Sequence, residues 1–364
     1  DAWKVNRFVT VKAGLRWEQQ HIVGMVNDYT FAANWAPRVG FIIDPTGRRK
    51  TKLFGSWGRF FEKIPQDIAT RSMSAESSYY LAYMTSLPPT ASNIVPGSSF
   101  SPYAVDATIW AGGTKSMYQD ELVAGLEQEL PGGMLFTARF LHRSVKRILE
   151  DVAGITVEQA LAGAGQQFVL GNPSAKQDIF TNAKPCADAV GACDPDYPYY
   201  SGYTEDSGMY GSDGIPDGFP DPRRVYKALE LTLDKRFSNN WSLGFNYRLA
   251  KLFGNYEGLF RNDNGQSDPN ITSQFDFAYS PMIGDQFAVG VLPTDRRHVV
   301  NLYGNYVFSN NLNVGFTWQA MSGRPLSKFL SHPAYGNAGE IPVGGRGAFG
   351  RTPFENYWDV KLDY

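Results

Sequence analysis

The sequence contains no run approaching the roughly 18 apolar residues that a membrane-spanning helix requires, and its mean hydropathy is −0.32, which excludes a helical membrane protein. It also lacks an excess of either charge. Lys and Arg number 34 against 36 Asp and Glu, for a net charge of −2, so the basic footprint of a nucleic-acid binder is missing. Cysteine is scarce: Cys186 and Cys193 stand close together in a Gly/Asp/Pro-rich stretch, a spacing that suits one local loop disulfide in an oxidising compartment better than a metal site. The four histidines (His21, His142, His298 and His332) are scattered without ligand spacing, and there is no HExxH, GxSxG or phosphate-binding loop. The expectation is a protein that is not an enzyme and carries no organic cofactor.

A negative mean hydropathy does not exclude a membrane β-barrel, whose strands need only about 10 residues each and alternate lipid-facing with lumen-facing side chains. The chain is rich in what such strands use, at 43% hydrophobic and 14% aromatic residues. At period two, Phe8 to Gln19 places Val9, Val11, Ala13, Leu15 and Trp17 on one face and Thr10, Lys12, Gly14, Arg16 and Glu18 on the other. Met134 to Arg143 sets Met134, Phe136, Ala138 and Phe140 against Thr137, Arg139 and Arg143. Arg224 to Phe237 sets Leu229, Leu231 and Leu233 against Glu230, Thr232 and Asp234, and Trp241 to Ala250 sets Phe245, Tyr247 and Leu249 against Asn246 and Arg248. Leu312 to Ala320 alternates in the same way. Trp35 to Asp44, Tyr118 to Leu130, Arg297 to Phe308 and Tyr357 to Tyr364 are further strands; Lys52 to Phe61 is another, whose phase is ambiguous.

The connections alternate. Asp44–Gly47, Pro131–Gly133, Ser238–Asn240 and Ser309–Asn311 are tight reversals, whereas the loops between them run to about 14, 54, 73, 44 and 31 residues and all fall at one end of the sheet. Segregated loop lengths are the mark of an outer-membrane barrel with short periplasmic turns and long extracellular loops. The fold class predicted is therefore all-β, an antiparallel transmembrane barrel. Trp17, Trp35, Trp241, Tyr306, Phe308, Trp318, Tyr357 and Trp358 are placed to form its interfacial girdles.

Several stretches resemble the C-terminal barrel half of TonB-dependent receptors, in particular the Oar-like group. They are Asp1-Ala2-Trp3-Lys4-Val5 running into Leu15-Arg16-Trp17-Glu18, then Trp35-Ala36-Pro37-Arg38-Val39-Gly40, Gly58-Arg59-Phe60-Phe61 and Leu126-Glu127-Gln128-Glu129-Leu130-Pro131-Gly132. They continue with Asp295-Arg296-Arg297-His298, Ser322-Gly323-Arg324-Pro325, and Gly350-Arg351-Thr352-Pro353 before Asp359. The resemblance implies an intact barrel of about 22 strands, of which residues 1–364 would supply about ten to eleven. On this expectation the plug, the segment that pairs with TonB and the final strands lie outside the sequence. The implied localisation is the outer membrane of a Gram-negative bacterium. The implied function is binding of a scarce ligand by extracellular loops and its import with TonB-coupled energy. An adhesion or surface-structure barrel without active transport is the alternative.

Candidate site residues lie in the loops. Tyr197, Tyr199, Tyr200, Tyr203 and Tyr210 bring amphipathic rings able to stack on a small-molecule, glycan or peptide ligand, or simply to pack the longest loop. Asp213, Asp217 and Asp221 recur at four-residue spacing among Gly and Pro, resembling part of a thrombospondin type 3 calcium repeat without its two preceding acidic positions. A structural calcium ion and a solvated acidic turn both fit that spacing. Lys12, Arg16, Glu18, Arg139, Arg143, Glu230, Asp234 and Arg248 are expected to face the lumen. The run Arg143-Ser144-Val145-Lys146-Arg147, near the outer rim, suits contact with lipopolysaccharide phosphates or plain solvation.

Overall fold

The computed structural model describes residues 1–24, 28–66, 113–153, 168–173, 221–260, 289–330, 341–342 and 344–364, with short pieces at 84–86, 93, 95, 109–110, 178–181, 184–185, 200–201, 204–207 and 275. Twelve strands form one antiparallel sheet. We label them β1 (Ala2–Lys4), β2 (Val9–Val23), β3 (Asp28–Ile43), β4 (Thr51–Phe61), β5 (Tyr118–Leu130), β6 (Met134–Lys146), β7 (Arg224–Ser238), β8 (Trp241–Gly254), β9 (Gly290–Val291), β10 (His298–Val307), β11 (Asn313–Met321) and β12 (Glu355–Asp363). Each pairs with its sequence neighbour, except that β9 adds only to the end of β8, which itself pairs with β10. Small two- and three-stranded sheets lie within the long connections, such as Glu150–Ala153 on Phe168–Gly171.

Register carries the alternation across the sheet. One row runs Val11, Phe41, Gly55, Ala124, Phe140, Leu229 and Leu249 through directly opposed pairs. Further along, Phe245 opposes Leu302, Leu302 opposes Trp318, and Trp318 opposes Trp358. These residues form a continuous apolar belt whose members stay open to the surroundings: Trp17 is 54% exposed and Trp358 66%. On the opposite face, Lys52 meets Glu127, Arg139 meets Glu230 and Arg143 meets Glu121 as cross-strand ion pairs. Two faces of opposite polarity on one sheet, with every ladder bond made between strands, fit a wall between lipid and a wet lumen.

The tight reversals form as their residues dictate. Asn239 and Asn240 (φ 51° and 69°) close β7 to β8, and Gly132 and Gly133 (φ 81° and 73°) close β5 to β6, left-handed conformations that Asn and Gly adopt with least strain. In the turn after β3 the Asp44 carboxylate accepts hydrogen bonds from the backbone N–H of Thr46, Gly47 and Arg49.

Two sequence expectations are corrected. The loop of about 14 residues after Gln19 is mostly strand: β2 runs on to Val23 and β3 begins at Asp28, with a bulge between Glu18 and Gln20 that shifts the phase and hides the continuation from a period-two reading. Tyr357 opposes Gln319 and so stands on the polar face, outside the girdle, while Trp17, Trp35, Trp241, Tyr306, Trp318 and Trp358 keep to the apolar one.

Aromatic rings lie directly across from glycines on both faces. A Cβ on Gly55 would stand 2.6 Å from the Phe41 ring, and one on Gly244 would stand 2.2 Å from the Tyr303 ring. Packed cores sit at the long-loop end. Met117, Ile148, Val152, Tyr256 and Phe275 form one cluster, and Ile22, Phe31, Ile64, Leu149 and Leu170 another.

Candidate functional site

Adjacent strands deliver arginines to the long-loop end of the polar face. Arg143 on β6 opposes Tyr226 on β7, Arg224 opens β7, and Arg248 on β8 opposes Glu230, two same-face positions further in than Tyr226. With Gln119, Val145, Leu252, Thr294, Asp295 and Arg296 they line a cavity of about 300 Å3 near the long-loop end. Arg143 donates to Glu121 at 2.5 Å, Arg224 donates through Nε to the Glu257 carbonyl at 3.2 Å, and Arg296 pairs with Glu355 at 2.6 Å. The Nε of Arg248 is buried and meets no acceptor among the described residues. Several guanidinium groups around one cavity, whose single acid is engaged elsewhere, make a site suited to an anionic or oxygen-rich group.

That acid is Asp295, and it joins three separate motifs. Its carboxylate accepts the Leu252 N–H at 2.5 Å and pairs with Arg351 at 2.5 Å. Arg351 also donates to the Gly323 carbonyl at 3.0 Å. The Arg324 N–H reaches the Thr352 hydroxyl at 2.8 Å, and the Thr352 N–H returns to the Arg324 carbonyl at 2.9 Å. Arg296 donates to the Ser322 carbonyl at 2.8 Å, and the His298 N–H donates to the Ser322 hydroxyl at 3.1 Å. The stretches Asp295–His298, Ser322–Pro325 and Gly350–Pro353 thus form one polar knot that ties the loop ends of β10, β11 and β12 together.

Beside it, Glu257 and Arg346 form an ion pair with both side chains 1% exposed. Burial, and then the negative charge of Glu150, push the Tyr256 phenol well above its usual range, so it stays neutral. A second cavity, of about 440 Å3, opens on the polar face between β2, β3 and β4; Arg16, Glu18, Gln20, Asn34, Arg38 and Phe60 line it. Its charges are mixed, and Arg16 is paired with Glu18.

The structure brings together few of the residues proposed from the loops. Tyr197, Tyr199, Tyr203 and Tyr210 lie outside the described residues, as do Asp213, Asp217, Cys186 and Cys193; Tyr200 has a described backbone, in a short pair with Pro185. Asp221 is exposed and its carbonyl accepts the Asn255 side-chain amide at 3.1 Å. Among the described residues no group of three His, Cys, Asp or Glu side chains is placed to hold a metal ion. The basic run 143–147 divides: Arg143 turns to the polar face and Glu121, while Lys146 opposes Tyr118 on the other face. The arginine cavity went unread as a unit because it joins residues far apart in sequence. Its only sequence signal is arginine at inward positions of three strands.

A sheet with a lipid-facing belt on one side, paired charges on the other, tight turns at one end and long connections at the other defines an outer-membrane β-barrel wall. The chain belongs to the family described as outer membrane beta barrel domain, which matches residues 24–327. It is similar to the TonB-dependent transporter Oar of Myxococcus xanthus, with 28% identity over 396 residues that cover 100% of this chain and 32% of that protein. This relative accords with the resemblance carried by the motifs above. Among solved structures it is similar in fold to the outer membrane transporter YddB from Escherichia coli, with a TM-score of 0.52, 12% identity, and coverage of 98% of this chain and 36% of that one. The siderophore receptor PiuA from Acinetobacter baumannii shows a weaker likeness, with a TM-score of 0.47, 10% identity, and coverage of 100% and 35%. The chain therefore spans about a third of the length of these relatives, and its place is the bacterial outer membrane.

Proposed function

We propose that this chain is part of the barrel wall of a TonB-dependent outer-membrane receptor, whose whole protein binds a scarce extracellular ligand and imports it with energy delivered through TonB. The observation that carries the reading is similarity along the entire chain to a protein named as a TonB-dependent transporter. The arginine cavity at the loop end of the polar face supports it, since Arg143, Arg224, Arg248 and Arg296 line it there. A ligand bearing carboxylate, phosphate or comparable oxygens fits those donors. The loop residues Tyr197, Tyr199, Tyr200, Tyr203 and Tyr210 belong to the same proposal as stacking surfaces, Asp213, Asp217 and Asp221 as a calcium-stiffened turn, and Cys186 with Cys193 as a loop disulfide.

The test uses the whole protein in its cells. Binding of its periplasmic segment to purified TonB is measured together with ligand uptake before and after the proton gradient is collapsed. TonB binding and gradient-dependent uptake are expected. A whole protein that neither binds TonB nor loses uptake would leave the adhesion barrel as the better account.

A further inference from the structure

Cations gather on the lipid-facing side as well, in successive rows toward the long-loop end. Just beyond the apolar belt on the long-loop side, Trp57, Leu122, His142, Lys227 and Lys251 follow one another as directly opposed residues across β4 to β8. One step further out, Arg59 opposes Asp120, and beyond that Phe61 opposes Tyr118, which opposes Lys146. All share the register phase of Leu53, Phe140, Leu229 and Leu249, so they face lipid. Arg147 follows at the bend with its guanidinium 4.6 Å above the Tyr118 ring; Arg59 lies 3.9 Å from the same ring. Lys251 reaches back over Phe253 at 4.7 Å.

The acids needed to neutralise these cations point the other way. On the polar face Glu121, Glu127 and Glu230 each hold a cation. On the lipid side of these rows Asp120 is the single carboxylate among the described residues, and Arg59 holds it. Lys146, Lys227 and Lys251 are exposed, and the buried Nε of Arg147 meets no acceptor among the described residues. Burial holds the Arg147 guanidinium below its ordinary range, an effect that nearby Tyr118 opposes and the like charge of Arg59 adds to. It remains charged all the same. Leu249 and Leu229 begin the apolar belt two residues below Lys251 and Lys227, and Phe140 lies six below Lys146, so from these rows the side chains reach the headgroups of the outer leaflet rather than bulk water.

We infer that Lys146, Arg147, Lys227 and Lys251 form a binding site for the phosphate groups of an outer-leaflet lipid, with the Tyr118 and Phe61 rings as its floor. The cations stand at three adjacent strands, β6, β7 and β8, which suits a headgroup with more than one phosphate. This site is separate from the ligand cavity, which lies on the other face of the sheet, and it does not depend on transport.

Native mass spectrometry of the detergent-purified whole protein tests it, with a bisphosphorylated glycolipid, the same lipid after phosphatase treatment, and inorganic phosphate as probes. The wild type is expected to retain the phosphorylated lipid. The variant Lys146→Gln/Arg147→Gln/Lys227→Gln/Lys251→Gln should bind it at least about tenfold more weakly. Lys227→Gln/Lys251→Gln alone, both at exposed positions, should lose affinity severalfold, and Lys227→Arg/Lys251→Arg should retain it. Equal binding of the dephosphorylated lipid, or unchanged binding by the glutamine variants, overturns the inference. Displacement of the lipid by inorganic phosphate at equal concentration also overturns it, by making this a site for free phosphate.

Discussion

The carboxylate of Asp295, at the entry to β10, is completely buried and paired with Arg351 from the approach to β12 at 2.5 Å. Because Leu252 of β8 also donates its N–H to Asp295, one side chain spans the loop ends of strands otherwise joined only through their neighbours. Asp295→Asn keeps the shape but removes the charge that Arg351 faces. It is expected to lower stability by about 2 to 3 kcal/mol, read as a lower midpoint of urea unfolding from vesicles. An unchanged midpoint would mean that the knot forms without the charge.

The same knot predicts that Gly323→Ala is more disruptive than its size suggests. A Cβ there would stand 1.6 Å from the Thr352 carbonyl oxygen, so β11 and the approach to β12 must separate. The expected cost is about 3 kcal/mol or more, in the range reserved for backbone clashes. Limited proteolysis of the residue 322–354 connection should be faster in the variant, and equal rates would count against the contact.

The two faces of β7 predict opposite tolerances for the same substitution. Leu229 lies in the belt between Phe140 and Leu249, whereas Thr232, three residues on, faces the lumen between Thr137 and Asn246. Leu229→Arg should destabilise the folded barrel by roughly 2 to 4 kcal/mol, and Thr232→Arg should cost well under half as much. Refolding titrations into vesicles compare the pair, and reversal of their order would reverse the assignment of the faces.

At the opposite end, slight desolvation pushes the Asp44 carboxyl up, and hydrogen bonds from Arg49, Thr46 and Gly47 outweigh it and hold the group below its ordinary range. A depressed carboxyl stabilises the turn above its unfolded value and loses that contribution as the pH falls through the folded one. Exchange of the Gly47 and Arg49 amides should therefore show an excess acceleration below about pH 4 that Asp44→Asn lacks. Parallel pH profiles for the two proteins would refute the role given to Asp44.

Much of the wall was legible in the sequence because lipid and water impose opposite demands at alternate residues. All ten strands predicted by alternation or turn chemistry are present, and the phase of β2, β6, β7, β8 and β11 is as read. The phase of β4 was ambiguous for a visible reason: Phe54 and Phe60 face the lumen side, where Phe60 lies under the Arg38 guanidinium at 4.4 Å and Phe54 under Lys52 at 5.0 Å. Aromatic rings there serve cations rather than lipid. The inward cluster of Leu141, Ala228 and Ala250 escaped notice in the same way, as apolar packing within a polar face. The knot was half legible. Its three motifs stood out one at a time, but their convergence is a product of strand order, which brings positions 295, 323 and 351 together only after β10, β11 and β12 have paired.

The rings that lie across from Gly55 and Gly244 bear on how the sheet chooses among its possible alignments. Alternation alone cannot distinguish the native pairing from one slipped by two residues, since both keep every greasy side chain toward lipid. A two-residue slip would drive Phe41 against Leu53 or Trp57, and Tyr303 against Ser242 or Asn246, where the notch made by a missing side chain is gone. Each ring and its glycine act as a key and its slot, rejecting during assembly the misalignments that polarity would let pass.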